Sequence, residues 1–390
     1  MRRTTISCRC FARIALPLGL SLLFAVGRAS PVQGQNLPDT VQWSVPSAAP
    51  PSGAPIVAGD VLVVPLRAVP PAPEGIIAHS LRDGAVRWSV KVAAEKPLAA
   101  DAERVYVADG EAIHAFSAAD GSVAWRTVAG RPITAPPLAH AGWVIVAAAG
   151  DLIAIRAADG VVLWRKPLGP IEFRPALDGD LLVASLVDGR LVALNLKDGS
   201  ERWTANLKAS PGEPFAIGGT VYVGTRDKIF YAIIADSGRI EDHPRIGGPL
   251  RGRVAVDDQR VYMAGLDNML RVVRRDGGAL LWQKSVVYRP ASGPVLIGNR
   301  VVVPGLETGL PAFAVDSGAA AGTLAFDGSL VALPVFTTLP DKQLAAIGIT
   351  GGLDNKWIIS LRTPSLVPRF ETQPLTALPG EVVPIPQPPR

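Results

Sequence analysis

The feature that most constrains this chain is a motif of glycine, three residues and tryptophan that returns every 37 to 40 residues. Five copies are complete, and two others keep the glycine but carry Asp242 or Gly322 at the tryptophan position. Ten residues before that position stands an alanine, with Val272 as the exception. A fixed period of this length predicts a repeat architecture. The recurring residues are Ala78, Gly84, Trp88, Ala115, Gly121, Trp125, Ala154, Gly160, Trp164, Ala193, Gly199, Trp203, Gly278 and Trp282.

Each repeat unit reads as four short strands joined by turns. The unit that ends near Trp203 contains the apolar runs DLLVASL and RLVALNL, and each run is followed by Asp-Gly. Asp-Gly suits hairpin turns because those turns need a positive φ, which glycine tolerates without penalty. One unit cannot bury both faces of its own sheet, so the units must close into a ring. The pattern predicts an all-β fold, a β-propeller of four-stranded blades.

We expect eight blades, with seven as the alternative. Seven units are counted between residues 88 and 322, and a weaker eighth follows with Phe370 at the tryptophan position and Ser360 in place of alanine. The N-terminal segment VQWSV, which contains Trp43, reads as a fourth strand without partners. An isolated fourth strand at that end is expected if the two chain ends share the closing blade.

The composition divides the chain into three parts. Residues 1–35 have a basic start followed by the apolar run Ile14–Val26, the layout of a secretory signal peptide. That run is short for a bilayer span, so an N-terminal membrane anchor is the alternative and the mature chain should carry no transmembrane segment. Residues 36–370 form the propeller. Residues 371–390 contain six prolines and should be an extended, flexible tail, with a docking peptide as the alternative.

Charge and cysteine content exclude several classes of function. The formal charge of +5 comes from five arginines in residues 1–35, and the 34 basic residues that remain equal the 34 acidic ones. Nucleic-acid binding therefore lacks an electrostatic basis. Cys8 and Cys10 precede the apolar run, so no cysteine stands where a lipid anchor would need one. Removal of the signal peptide leaves no cysteine for disulfides, thiolate metal sites or nucleophilic catalysis.

The recurring tryptophans favour packing over cofactor stacking, because a cofactor is bound once while a packing residue recurs. We therefore expect Trp164→Ala to cost roughly 3–5 kcal/mol of stability. The four histidines lack metal-ligand spacing, and no nucleophile elbow, phosphate loop or paired carboxylates appear. We predict no catalytic residue and no metal site.

Basic residues recur where the units lead into their first strands. They are Lys96, Arg131, Arg174, Arg253 and Arg289, and Glu213 interrupts the series in the fifth unit. First strands line the channel of a propeller, so these cations are predicted to gather at one mouth of the ring. There they could hold an anionic ligand or an acidic patch of a partner. The alternative is a set of unrelated solvated charges.

The alanine, glycine and tryptophan pattern, as in Ala115–Trp125 and Ala193–Trp203, resembles the repeat of pyrroloquinoline-quinone (PQQ) type propellers. One branch of that family, the BamB-like proteins, is non-catalytic, eight-bladed and exported. This branch implies protein partners, the outer-membrane barrel assembly machinery among them, and a location in the periplasm or at the periplasmic face of the outer membrane. BamB-like proteins are usually lipid-anchored, and this chain departs from them there. We expect a monomer.

The other branch, the quinone-dependent dehydrogenases, implies a Ca²⁺ bound by Glu and Asn, with an Asp as base. We find no such cluster in the sequence, so PQQ and calcium are disfavoured and no cofactor is expected. A PQQ-dependent oxidoreductase-like cofactor-binding protein stays as the alternative function. A sugar- or polymer-binding module is a third possibility.

Overall fold

The Asp-Gly pairs form the tight turns that their residue types predict. Gly121 has a φ of +73° and donates its N–H to the carbonyl of Ser117, which closes the turn between the third and fourth strands of its unit. Asp120 accepts hydrogen bonds from the backbone and the hydroxyl of Ser122. The same glycine conformation recurs at Gly84, Gly160 and Gly199. Each turn therefore reverses the chain at low conformational cost.

The computed structural model of the protein describes residues 37–70, 74–242, 244–352 and 356–365, all within one compact unit, Gln33–Arg390. The described part contains strands and no helix. The first strand is β1 (Pro38–Ser47). The predicted signal peptide and the residues of the proline-rich tail lie outside the described residues.

Seven antiparallel sheets follow β1, each with its four strands in chain order. We number them as blades 1 to 7. Blades 1 to 4 are built from β2 (Ile56–Ala58), β3 (Val61–Leu66), β4 (Gly75–Ser80) and β5 (Val86–Val90); β6 (Ala99–Ala100), β7 (Arg104–Asp109), β8 (Ala112–Ser117) and β9 (Val123–Val128); β10 (Leu138–His140), β11 (Trp143–Ala148), β12 (Asp151–Arg156) and β13 (Val162–Pro167); and β14 (Ala176–Asp178), β15 (Leu181–Ser185), β16 (Arg190–Asn195) and β17 (Glu201–Asn206). Blades 5 to 7 are built from β18 (Phe215–Ile217), β19 (Thr220–Gly224), β20 (Phe230–Ile234) and β21 (Ile240–Asp242); β22 (Ala255–Val256), β23 (Arg260–Ala264), β24 (Met269–Arg274) and β25 (Leu280–Ser285); and β26 (Val295–Ile297), β27 (Arg300–Val302), β28 (Gly309–Ala314) and β29 (Ala320–Ala325).

Blade 8 joins the two ends of the propeller. Its C-terminal part comprises β30 (Ser329–Leu330), β31 (Val335–Thr338), β32 (Leu344–Gly351) and β33 (Trp357–Pro364). Both β30 and β31 pair with β32, β32 pairs with β33, and β33 pairs with β1. The N-terminal segment is therefore the fourth strand of this blade, and the prediction that the chain ends share it is confirmed. Trp43 stands opposite Leu361 in that pair, not opposite Ser360. Phe370 lies outside the described residues.

The core lies between the blades. Eight clusters of buried apolar residues occur among the described residues, and each combines side chains of two neighbouring blades, blade 8 with blade 1 included. Middle strands such as β3 are buried along their whole length, whereas outer strands such as β9 expose most of theirs. A sheet buried on both faces needs a neighbour on each side. Eight blades in a closed ring supply those neighbours, which confirms the eight-bladed prediction.

Candidate interaction site at the mouth of the ring

The recurring tryptophans lie at the seams between blades. Trp203 stands opposite Ala193 in its own blade, and its ring Nε1 donates to the carbonyl of Ala235 in the next blade at 2.6 Å. Its ring covers Gly238, where an added Cβ would lie 2.7 Å from a ring carbon. Five more seams repeat this bond at 2.8–3.0 Å, from Trp43, Trp88, Trp125, Trp164 and Trp282 to the carbonyls of Leu81, Ala118, Ala157, Leu196 and Val315.

The glycines of the motif supply the flat surface on which these rings lie. Gly84, Gly121, Gly160 and Gly199 contact Trp43, Trp88, Trp125 and Trp164 of the preceding blades, and none of them has room for a Cβ. Alanine in the third strand leaves space beside the ring, as at Ala78, Ala115 and Ala154. Gly278 has the same positive φ but lies at the seam of blades 5 and 6, where the fourth strand carries Asp242.

Segments that lead into the first strands meet at the middle of the ring. The first strands of blades 1 and 2, 2 and 3, 4 and 5, and 8 and 1 contact each other. Arg174, which precedes β14 in blade 4, donates from Nη2 to the carbonyl of Leu98, which precedes β6 in blade 2, at 3.3 Å. These two blades are not neighbours, so the bond reaches across the axis. It defines one mouth of the ring.

Two further blades contribute side chains to this mouth. Arg253 precedes β22 in blade 6, and its guanidinium carbon lies 5.7 Å from the ring centre of Phe215 in blade 5, a cation–π contact. Burial lowers the pKa of Arg174, Glu213 opposes that shift and Arg253 adds to it. We define Arg174, Glu213, Phe215 and Arg253, with the carbonyl of Leu98, as the channel-mouth cluster.

Arg174 lacks the close partner that a buried cation needs. Its Nε is buried and has no hydrogen-bond partner among the described residues, although the side chain as a whole is half-buried. No ion pair within 4 Å of Arg174 occurs in that part of the chain; Glu213 acts on it through space alone. A partly desolvated guanidinium attracts a carboxylate or another anion more strongly than an exposed one does, because part of its hydration is already lost. The cluster is therefore suited to an anionic group.

The structure brings together part of the predicted rim. The charge of Arg253 acts on Arg174, and Arg174 reaches the segment that carries Lys96 through Leu98. Arg131 is exposed and donates to the carbonyl of Ala149 in its own blade, and Arg289 is also exposed. No contact described in the ranges above joins either of these two to Arg174 or Arg253. The rim as a binding site stays a prediction.

Two members of the cluster were not predicted from the sequence. Phe215 is the first residue of β18, two residues after Glu213, and an aromatic side chain at the start of a first strand was a usable signal. The carbonyl of Leu98 had no signal, because a backbone acceptor depends on how blade 2 faces blade 4. In the described residues no three His, Cys, Asp or Glu side chains are placed to share a metal ion. A search of that same part of the chain for helices able to cross a membrane found none.

Comparison with solved structures shows the same fold. BamB from Moraxella catarrhalis matches with a TM-score of 0.64 at 16% identity, over 83% of this chain and 99% of that one. A quinohemoprotein alcohol dehydrogenase, ADHIIG from Pseudomonas putida HK5, matches with a TM-score of 0.62 at 15% identity, over 90% of this chain and 78% of that one. The computationally designed Ika8 protein matches with a TM-score of 0.66 at 13% identity, over 85% of this chain and all of that one.

Sequence comparison is more specific than these structural likenesses. Curated protein sequences gave no match. The family described as outer membrane protein assembly factor BamB, a PQQ-like repeat family, matches residues 72–217 and 208–332. These two segments together cover more than half of the chain, from β4 of blade 1 to the end of blade 7. This PQQ-like propeller belongs to the family of the outer membrane protein assembly factor BamB.

Proposed function

We propose that this protein is an exported, non-catalytic propeller scaffold that binds protein partners during the assembly of outer-membrane β-barrel proteins. Membership of the BamB family supports the role in assembly. The basic and apolar layout of residues 1–35 supports export. The proposed location is the periplasm or the periplasmic face of the outer membrane.

The observation that carries the proposal is the guanidinium of Arg174 in the channel-mouth cluster, which has no ion-pair partner within 4 Å among the described residues. Arginine and aromatic side chains are enriched where protein interfaces gain most of their binding energy. The cluster offers both, with Arg253 over Phe215 beside Arg174. An acidic segment of a partner would supply the carboxylate that Arg174 lacks. The rigid ring would hold these groups in place without an ordering cost.

A test by crosslinking keeps the Arg174 guanidinium intact. A photo-crosslinking residue is placed at Arg253 and, separately, at Lys96 in the native host, with the exposed Val123 on an outer strand as the control position. Mass spectrometry then identifies the captured protein. We expect a component of the outer-membrane barrel assembly machinery from both mouth positions and not from position 123. Equal capture from all three positions, or none from the mouth, would contradict the proposed face.

Arg174→Met tests the cation itself. Because Arg174 has no close ion pair, we expect the variant to keep its melting temperature while capture from position 253 falls about tenfold or more. Arg165→Met is the matched control, since Arg165 bonds Asp151 at 2.9 Å and the carbonyl of Ala129 at 2.7 Å. That control should lower the melting temperature and leave capture unchanged. Unchanged capture by a folded Arg174→Met protein would remove the cation from the interface.

A second candidate, a PQQ-dependent oxidoreductase-like cofactor-binding protein, is favoured by the same cations, because PQQ carries carboxylates. Its Ca²⁺ would need a set of oxygen ligands. Among the described residues no three His, Cys, Asp or Glu side chains are placed to share an ion, and no catalytic step is derived. Titration of the purified protein with PQQ and Ca²⁺ separates the two functions. We expect no absorbance change and no dye reduction, and a saturable change in both would favour the enzyme.

A further inference from the structure

The seam between blades 5 and 6 lacks the indole that joins six other seams. Asp242 stands opposite Ala232, in the register that pairs Ala193 with Trp203 one blade earlier. The next blade differs in a matching way. The residue three before the turn glycine is apolar at the six indole seams, where its carbonyl accepts the tryptophan N–H, but at this seam it is Arg275.

Arg275 makes polar contacts across this seam. Its Nε donates to the hydroxyl of Tyr222 at 3.2 Å, and its Nη2 donates to the carbonyls of Ile217 and Gly218, each at 3.3 Å. All three acceptors belong to blade 5, so the guanidinium links the blades from the solvent side. It does not reproduce the apolar contact that an indole makes with its glycine.

Tyr222 shows where the missing ring would lie. Tyr106 and Tyr262 hold the same second-strand position in blades 2 and 6, and their rings lie 5.7 Å and 6.4 Å from Trp125 and Trp282 of their own blades. Tyr222 has no such neighbour among the described residues and stacks on Phe230 at 6.0 Å. Tyr222 therefore lacks the tryptophan neighbour that the tyrosines of blades 2 and 6 have.

A cavity of about 260 Å³ occupies the seam. Its floor consists of apolar and aromatic side chains that are otherwise buried, namely Tyr222, Phe230, Ala232, Val261 and Val273. Its rim is exposed and carries both signs of charge, with Arg239, Glu241, Arg274 and Asp276. An apolar protein cavity of about 150 Å³ is large enough to bind benzene. The volume of this cavity, which opens to solvent at its rim, is larger than that.

The pocket also contains a carbonyl that could accept a hydrogen bond from an indole N–H. The carbonyl of Arg275 holds the chain position of the six carbonyls that accept a tryptophan N–H, three residues before Gly278. No bond to it from a described residue occurs. A carbonyl without a partner gains from any donor that reaches it once water is excluded. Floor, glycine and acceptor thus repeat the surroundings of the six indoles.

We propose that this cavity, defined here as the blade 5–6 pocket, binds a tryptophan side chain of a partner polypeptide. The ring would lie on Gly278 beside Tyr222 and donate its N–H to the carbonyl of Arg275. The rim favours a polypeptide over a free aromatic molecule, because its two arginines and two carboxylates can pair with the polar groups that flank a side chain. Tryptophan is also the residue type most enriched at the energetic centres of protein interfaces. The site is separate from the channel-mouth cluster and does not depend on the proposed function.

The test uses a capped five-residue peptide with a central 5-fluorotryptophan, followed by fluorine NMR during titration with the mature protein. We expect saturable broadening or shift of the peptide signal. Asp242→Trp should fill the pocket from within the chain, raise the melting temperature and weaken peptide binding roughly tenfold or more. Asp242→Phe, which adds a smaller ring, replaces this variant in the test if the tryptophan variant melts below the wild type. Glu201→Trp, at an exposed fourth-strand position outside any seam, is the matched control and should bind as the wild type does.

Three results would overturn the proposal. The first is a peptide signal that does not saturate with the wild-type protein. The second is unchanged binding by a folded Asp242→Trp or Asp242→Phe variant. The third is binding of free 5-fluoroindole without binding of the peptide, which would make the occupant a small aromatic molecule.

Discussion

Two adjacent seams of the same ring are held together by different chemistry. At the seam of blades 4 and 5, Trp203 covers Gly238 and bonds the carbonyl of Ala235. At the seam of blades 5 and 6, Arg275 donates to Tyr222 and to two carbonyls. Burying an indole contributes roughly 4–6 kcal/mol by area, whereas hydrogen bonds of a charged group contribute about 1.5–3 kcal/mol, and less when exposed.

A propeller therefore does not need every copy of its packing motif. Each blade packs against two neighbours, so the ring fixes the position of blade 6 even where one seam is weaker. A seam that does not depend on a tryptophan can carry other residues at both contact positions. At the seam of blades 5 and 6 these residues are Asp242, at the tryptophan position, and Arg275, at the position whose carbonyl accepts the tryptophan N–H in the other seams. Three further tests probe how unequal the seams are.

The largest effect is expected from Trp203→Ala. The ring is 8% exposed and bonds the next blade, so its loss leaves a cavity and an unpaired carbonyl at once. We expect a loss of about 3–5 kcal/mol in the free energy of unfolding, measured by denaturant titration. Arg275→Leu, which removes the link at the neighbouring seam, should cost less. An equal or larger loss from Arg275→Leu would reverse the ranking of the two seams.

Gly238→Ala should have the next largest effect. Its φ of +71° disfavours any side chain, and its Cβ would also collide with the ring of Trp203. Gly277→Ala is the matched control, with a φ of +73° and no atom within 4 Å of its Cβ. The control should cost about 1–2 kcal/mol from the backbone conformation alone. Gly238→Ala should cost roughly 1–3 kcal/mol more from the collision. Equal losses would mean that the ring does not press on the glycine.

The smallest effect concerns the seam of blades 8 and 1, which alone among the indole seams has a histidine beside its turn. His79 is buried, and its Nδ1 lies 2.9 Å from the carbonyl of Gly84, the glycine that Trp43 covers. Burial lowers the pKa of His79, opposed by this hydrogen bond. The unfolded chain therefore binds the proton more readily, and stability is lost as the pH falls below about 6.5.

His79→Phe tests this pH dependence, because Phe116 and Phe313 hold the same position in blades 2 and 7. The variant should lose less melting temperature between pH 7 and pH 5 than the wild type, by a difference on the order of 1–2 °C. A remaining slope is assigned to His114, whose pKa is also lowered by burial. Identical slopes for wild type and variant would show that His79 is protonated without cost.

The blade pattern and the ring could be predicted because they follow from local regularities. The Asp-Gly turns and apolar runs define four strands per unit, and the repeat of units defines a closed ring. The candidate site was predicted less completely. Arg174 and Arg253 were found from their place before the first strands, but Arg131 and Arg289 share that place without described contacts to them. The position of a residue in the repeat fixes how far along the ring axis its side chain lies. It does not fix whether that side chain reaches across the axis to another blade.

Local sequence accounts for the strands, the turns, the repeat and the packing role expected of the tryptophans, and it favoured eight blades over seven. Which groups meet depends on the tertiary structure. Each indole bonds a carbonyl of the following blade, and Arg174 reaches Leu98 over a separation of 76 residues. The blade 5–6 pocket likewise depends on contacts between two blades. Contacts between units depend on how many blades share the circle and how each is rotated, and no local pattern encodes that geometry.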